Sequence, residues 1–502
     1  MFTLLRSWLP YLVVLGCLLP FLGKPVHIDD ANFLRLAEGA QQDFWRPHNV
    51  LINWQGQTER AFDVLSNPPG QAWLLAPVTE EPVWLLHLWM WPWVLLALWG
   101  MGRLGRELVG SREAAILALG LSPMMLLAAQ GLTPDVPLLA CTTAGLGGFL
   151  SHRRTAWLYA LLAGFAVWFR YSGVCVIPLV ILAGALNKKL ISSLFVCLPF
   201  AALLLHDWHA YGELHVVAMR EFQAVSNAPE EVFLKGAALL AMLGGMGIMP
   251  TLTWSSRGFW ALFVGGALGV GAALTAGMGF GMSAAVALFC GAGALSFSRL
   301  GFSTRSDLLV TSWAIGGAVF LLGLRFAATR YWLLFLPAFV LAALRLKIPQ
   351  WRLTTGLALS ALIGLGLSVD DMGFAKAHRQ AAEDVAALGT GSFSGHWGFQ
   401  HYLERAGWRP LEEGEETEAL HAVFHQGWPQ DPSADSCLEE LGRLTAADSW
   451  WGPRAHSYAA RVNVHANWIS GQPPRRSLLP WGFSSEPYAE VTVMRPCSVA
   501  SP

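Results

Sequence analysis

Charge is what this sequence has least of. Only 13% of its 502 residues are Asp, Glu, Lys or Arg, about half the 25% usual in soluble domains. That shortage excludes a water-soluble enzyme of this length. The net charge is −1 and basic residues form only short clusters, which excludes nucleic acid as a partner. No Gly-x-Gly-x-x-Gly fingerprint on a strand–helix unit and no P-loop is present, so a nucleotide cofactor is not indicated. Cys and His show no zinc-type spacing. There is no internal repeat and no low-complexity run, and no small-x-small cleavage site precedes His27, so residues 1–23 read as a retained anchor and not as a signal peptide.

What is abundant is apolar: 54% of residues are hydrophobic and 24 are Trp. Many of these indoles, such as Trp45, Trp84, Trp93, Trp208 and Trp332, sit near the ends of apolar runs, where interfacial belts place amphipathic rings. A helix needs about 20 apolar residues to cross a bilayer. The runs 8–23, 82–100, 113–131, 134–150, 156–169, 173–186, 190–205, 232–253, 258–276, 279–297, 307–324, 331–345 and 353–369 are the candidates. The expected fold is therefore an all-α polytopic membrane protein of about 13 transmembrane helices. Residues 1–369 form its membrane domain, with a first long loop at 24–81, and residues 370–502 form a small extracytoplasmic α+β domain.

Basic residues orient the bundle. Alternate loops hold Arg103, Arg106 and Arg112; Arg153 and Arg154; Lys188 and Lys189; Arg257; Arg299 and Arg305; and Arg345, Lys347 and Arg352. This places the N-terminus in the cytoplasm and the tail outside, in a plasma (inner) membrane. Cys437 and Cys497 lie in that tail, where an oxidising exterior allows a disulfide or two free thiols.

Ionisable groups beside membrane spans are costly and each calls for a reason. On the outer side they gather at Asp29-Asp30 after the first span, at Asp135, at Arg170-Tyr171, at Glu213, His215, Arg220 and Glu221, and at Arg325 and Arg330. Bland roles exist for each. Asp135 or one member of the dyad can cap a helix, and Arg170, Arg325 and Arg330 can snorkel. After the dyad, Phe33, Leu34, Leu36, Ala37 and Ala40 have the spacing of an amphipathic helix lying along the membrane. Ser66-Asn67-Pro68-Pro69-Gly70 then reads as a stiff turn. Ser394-Gly395-His396-Trp397-Gly398-Phe399-Gln400 stands out in the tail without suggesting a chemistry.

An acidic dyad after span one, an in-plane helix and an Asn-Pro-Pro turn together resemble the GT-C membrane glycosyltransferases, the group of the protein O-mannosyltransferases and the aminoarabinose transferases. Thr133-Pro134-Asp135-Val136-Pro137 is similar to their second acidic motif. Arg170-Tyr171-Ser172-Gly173 resembles their Lys-Tyr-Thr-Gly turn, with Arg for Lys, and Thr329-Arg330-Tyr331-Trp332-Leu333 resembles their late Arg-Tyr segment. The likeness covers roughly residues 1–345 and departs from the family pattern at Asp30, where Glu is common.

The resemblance implies an inverting transfer of a sugar from a polyprenyl-phosphate donor to a lipid, glycan or protein acceptor outside the cytoplasm. It implies Asp29 as general base, with Asp30 and Asp135 beside it. Arg170, Tyr171, Arg325, Arg330 and Tyr331 would bind the donor phosphate. It implies no cofactor, and a divalent cation on Asp29, Asp30 and Asp135 is the open alternative. A secondary transporter or flippase of an anionic or lipid-linked substrate is the competing reading, since transporters also place charges in a central cavity.

Overall fold

In the computed structural model, the residues described are all except 1, 55, 220–227, 248–257, 346–347, 418, 428, 435, 447–449, 458, 466–467, 470–476 and 498–502. Arg220, Glu221, Arg257 and Lys347 thus lie outside the described residues. Among the described residues, six helices are long and apolar enough to cross a membrane: Val83–Val109, Leu190–Tyr211, Gly258–Thr275, Phe280–Phe297, Arg305–Leu322 and Gln350–Ala386. The protein is a polytopic membrane protein, mostly helical, with a small sheet region.

Of the remaining expected spans, 8–23, 134–150 and 232–253 fall on the helices Phe2–Leu18, Asp135–Ser151 and Pro229–Met246, while others are broken. The run 113–131 breaks into Arg112–Gly120 and Pro123–Ala128. Proline fits the first turn of a helix and not its middle, and Ser122 caps the new start by accepting from the Met125 N–H at 3.2 Å. Likewise 173–186 begins as a 3-10 turn at Tyr171–Cys175 before becoming α-helical. The outer surface is apolar, as lipid contact requires. Ile191 and Phe280 are 81% and 91% exposed, which water would not favour.

The last long helix, Gln350–Ala386, passes without a break through the boundary expected at 369/370. Its later half is not lipid-facing. Phe374, Ala377, Ala381 and Val385 recur at helical spacing and are buried in a second apolar core with Phe393, Phe399, Phe424, Val491 and Val493. That core belongs to a five-stranded sheet in the order Arg409–Pro410, Gly391–Ser394, Leu420–Phe424, Ala489–Pro496, Leu438–Ala446. The first three strands pair in parallel through the helix Trp397–Arg405, and the last three are antiparallel. Cys437 and Cys497 form a disulfide at the open end of the final pair.

This sheet region is tied to the helical part at several points. Gln400 Nε2 donates to the Asn53 carbonyl at 3.1 Å, and the Val26 N–H donates to the Tyr402 hydroxyl at 3.0 Å. Trp468–Ile469 pairs as a strand with Phe326–Ala327, and the Thr329 N–H donates to the Val464 carbonyl at 3.2 Å. The segment that carries Arg330 is therefore held by the tail.

Candidate functional site

The acidic dyad opens the helix Asp30–Gln42. Asp29 occupies the position before its first turn, yet its carboxylate makes no capping hydrogen bond. The residue before it, Ile28, has φ +48°, a left-handed conformation that a β-branched residue adopts only under constraint. Ile28 is buried, so packing holds the bend that leads into the dyad. Asp30 points inward: its Oδ1 accepts from the Leu132 N–H at 2.7 Å, and its Oδ2 lies 3.5 Å from His27 Nδ1. Asp29 points the other way, into an ion pair with Arg330.

From Asp29 the charges alternate. Arg330 pairs with Asp29 and sets its Nε 3.7 Å from Asp135 Oδ2, while Arg170 Nη1 donates to Asp135 Oδ1 at 2.5 Å. Both guanidiniums lie over the Tyr331 ring, Arg170 at 3.9 Å and Arg330 at 5.8 Å from its centre. Local structure explains each position. Asp135 is the first residue of the helix Asp135–Ser151, where the helix dipole favours a carboxylate. Arg170 takes extended backbone between the turn Ala166–Phe169 and the 3-10 turn Tyr171–Cys175. Arg330 and Tyr331 sit in the 3-10 turn Thr329–Leu334. Asp29 is the more accessible acid, its side chain 23% exposed against 2% for Asp135.

Two of the expected site residues have contacts outside this ladder. The Tyr171 hydroxyl lies 2.8 Å from His215 Nδ1, in a cluster with His48, Phe62 and Tyr211. Burial drives His48 down to about 3 and His215 to about 4, so this cluster is neutral near pH 7. The Arg325 guanidinium lies 5.8 Å from the Phe326 ring.

A small cleft opens beside the ladder, with Asp30, Thr133, Met246, Arg330 and His465 in its wall. Behind it stands a group that the sequence spacing did not suggest. His27, His456 and His465 each aim Nε2 at Asp371 Oδ1, at 2.9, 2.8 and 3.3 Å, and Lys24 donates to Asp371 Oδ2 at 2.8 Å. Neighbouring Asp370 accepts from the Tyr488 hydroxyl at 2.5 Å and the Ala455 N–H at 2.6 Å, and pairs with Arg454. The only sequence signal was the pair Asp370-Asp371 at the end of an apolar run. The distinctive segment 394–400 also finds its place here. Gly395 has φ +127°, and a side chain on Gly398 would collide with the Val26 carbonyl next to His27.

The arrangement defines a class: a membrane protein with an alternating acid–guanidinium ladder at helix ends, tied by hydrogen bonds to a small sheet region. No known family profile matches the sequence, and no curated protein matches it. Solved structures of similar fold include ArnT from Cupriavidus metallidurans bound to undecaprenyl phosphate. It is 18% identical, with a TM-score of 0.47 over 76% of this chain and 72% of that one. The same ArnT in the apo state is 16% identical, with a TM-score of 0.47 over 78% and 71%. The arabinofuranosyltransferase AftD from Mycobacteria is 14% identical, with a TM-score of 0.41; the match covers 98% of this chain and 40% of AftD. Both proteins are GT-C glycosyltransferases.

Proposed function

We propose that this protein is an integral-membrane glycosyltransferase. It moves a sugar from a polyprenyl-phosphate donor to an acceptor hydroxyl on the extracytoplasmic side, by in-line displacement with inversion. The observation that carries the reading is the pairing of Asp29, an accessible carboxylate, with Arg330, a guanidinium shared with a second, buried acid.

The chemistry follows from that pairing. A donor phosphate entering the cleft competes with Asp29 for Arg330, and a guanidinium fork suits a phosphate as well as a carboxylate. Asp29, released, accepts the acceptor hydroxyl proton while that oxygen attacks the anomeric carbon. The bond from the anomeric carbon to the phosphate oxygen breaks, and its electron pair leaves with the polyprenyl phosphate. The extra negative charge develops beside Arg330 and Arg170, where positioned cations stabilise it most. Asp135 holds both guanidiniums in place. Tyr331 is the platform on which they lie, while Tyr171 and Arg325 support the donor site from its margin. In this reading about 13 spans cross the inner membrane with the N-terminus cytoplasmic, and residues 370–502 cap the site from outside.

The test uses purified full-length protein in lipid nanodiscs with a radiolabelled polyprenyl-phosphate sugar and a mixed pool of lipid, glycan and peptide acceptors. Wild type consumes donor, and Asp29→Asn slows consumption by about 10²–10⁴-fold, as loss of a general base does. Movement of intact donor across a vesicle membrane, with no free polyprenyl phosphate formed, would overturn the proposal in favour of a flippase.

A further inference from the structure

We infer that His27, Asp371, His456 and His465 form a binding site for one divalent cation of the zinc class, which braces the outer domain against the loop that carries Asp29 and Asp30. The inference stands independently of the transferase reading.

Three imidazole nitrogens converge on one carboxylate oxygen, at 2.8, 2.9 and 3.3 Å. A carboxylate oxygen has two lone pairs, so three N–H donors overfill it. All three rings would also need the same tautomer, with the proton on Nε2. For a neutral His27 that tautomer leaves Nδ1 as an acceptor, 3.5 Å from the carboxylate oxygen Asp30 Oδ2, and two acceptors then face each other in a buried place.

A cation removes both conflicts. The three Nε2 atoms and Asp371 Oδ1 become its ligands, and the His27 proton moves to Nδ1, from which it donates to Asp30. A carboxylate behind a metal-bound histidine is the common outer-shell arrangement. Three imidazoles and one carboxylate oxygen suit Zn²⁺ in tetrahedral geometry. Ligand bonds of about 2.0–2.1 Å give ligand–ligand edges of roughly 3.3 Å, and all four ligand atoms already lie within 4.8 Å of one another. His27, Asp371 and His456 are buried, with His465 at the cleft wall. Lys24 does not take the ligand position, because it occupies the other oxygen of Asp371. Asp371 and Asp30 offset two of the three positive charges that the Lys24 ammonium and the cation carry.

The ligands come from three places. His27 follows the first span, Asp371 lies in the long helix Gln350–Ala386, and His456 and His465 flank the short hairpin His456–Ser457 with Val462–Asn463. A bound ion would fix the tail to the membrane domain two residues before Asp29.

Full-length protein without an affinity tag is purified, and its metals are measured by mass spectrometry. Wild type and Asp29→Asn are expected to carry one equivalent of zinc, and the His456→Ala/His465→Ala double variant close to none. Chelation should lower the melting temperature of wild type and leave the double variant unmoved. Chelated wild type reloaded with Co²⁺ should show the intense visible absorption of a four-coordinate site, a readout that needs no variant to fold. Wild type free of metal with only weak six-coordinate Co²⁺ absorption would overturn the inference, as would a folded double variant with an equal zinc content. Neither result depends on sugar transfer, so the two proposals fail separately.

Discussion

At the scale of single residues, the site is a matter of which carboxylate faces which guanidinium. Asp29 and Asp30 are adjacent in sequence and chemically identical, yet at the start of a helix successive side chains point about 100° apart, and one meets Arg330 while the other meets the Leu132 amide. Arg170 is held in two ways: Nη1 donates to Asp135, and the planar group lies 3.9 Å from the centre of the Tyr331 ring. Lysine offers neither the fork nor the flat face. Arg170→Lys keeps the charge, and is expected to lower kcat/KM for donor by roughly 30-fold, about 2 kcal/mol. Arg170→Ala should instead leave the buried Asp135 with only the longer Arg330 contact at 3.7 Å and destabilise the protein by about 1–3 kcal/mol. Steady-state kinetics and thermal melting separate the two outcomes. A lysine variant with wild-type kinetics would show that only charge matters at 170.

At the scale of elements, lipid made part of the fold legible. Contiguous apolar runs are what a bilayer demands, so the helices around 83–109, 258–275, 280–297 and 305–322 could be read from composition alone. The helix after the dyad could be read from the spacing of Phe33, Leu34, Leu36 and Ala37. The 3-10 turns at Tyr171–Cys175 and Thr329–Leu334 could not, because they depend on how neighbouring helices pack. Nor could the continuation to Ala386, since its apolar face is matched to a sheet formed much later in the chain. Helix packing itself rests on glycine. An added Cβ on Gly244 would collide with the Phe289 carbonyl, and one on Gly293 with the Leu240 carbonyl, so Pro229–Met246 and Phe280–Phe297 touch backbone to backbone. Gly293→Ala should therefore cost about 1–3 kcal/mol by overpacking. Gly316→Ala, at an exposed helical position with open space around it, should be neutral or slightly stabilising. Equal melting temperatures for the two variants would contradict the close approach.

At the scale of the whole molecule, the tail is tied to the segments that carry the charged ladder. It pairs with the strand before Arg330, packs against Val26 and supplies two histidines beside His27. None of this was legible from sequence, because His27 lies 344 positions from Asp371, and His456 and His465 lie 85 and 94 positions from it, so no local spacing encodes the group. The acid groups Asp29 and Asp135 were legible, since polar residues at the ends of apolar runs stand out.

The tail's own core carries a pH dependence. His421 lies between two hydroxyls, Ser392 Oγ at 2.9 Å and Ser394 Oγ at 3.2 Å, and burial lowers its pKa to about 4. His401 is lowered by burial, and then by Arg405, to about 3. Both folded values lie below the ordinary histidine value near 6.5, so as pH falls the unfolded chain takes up protons before the folded one. Stability is thus complete above about pH 6.5 and is lost as pH falls towards 4, by up to about 1.4 kcal/mol per unit for each histidine. Thermal melting of the full-length protein should shift to lower temperature across that range. His421→Gln keeps a side chain that can bond both serines and removes one titrating group, so its melting temperature should fall less steeply with acid. A slope identical to that of wild type would mean that His421 titrates in the fold as it does in the open chain.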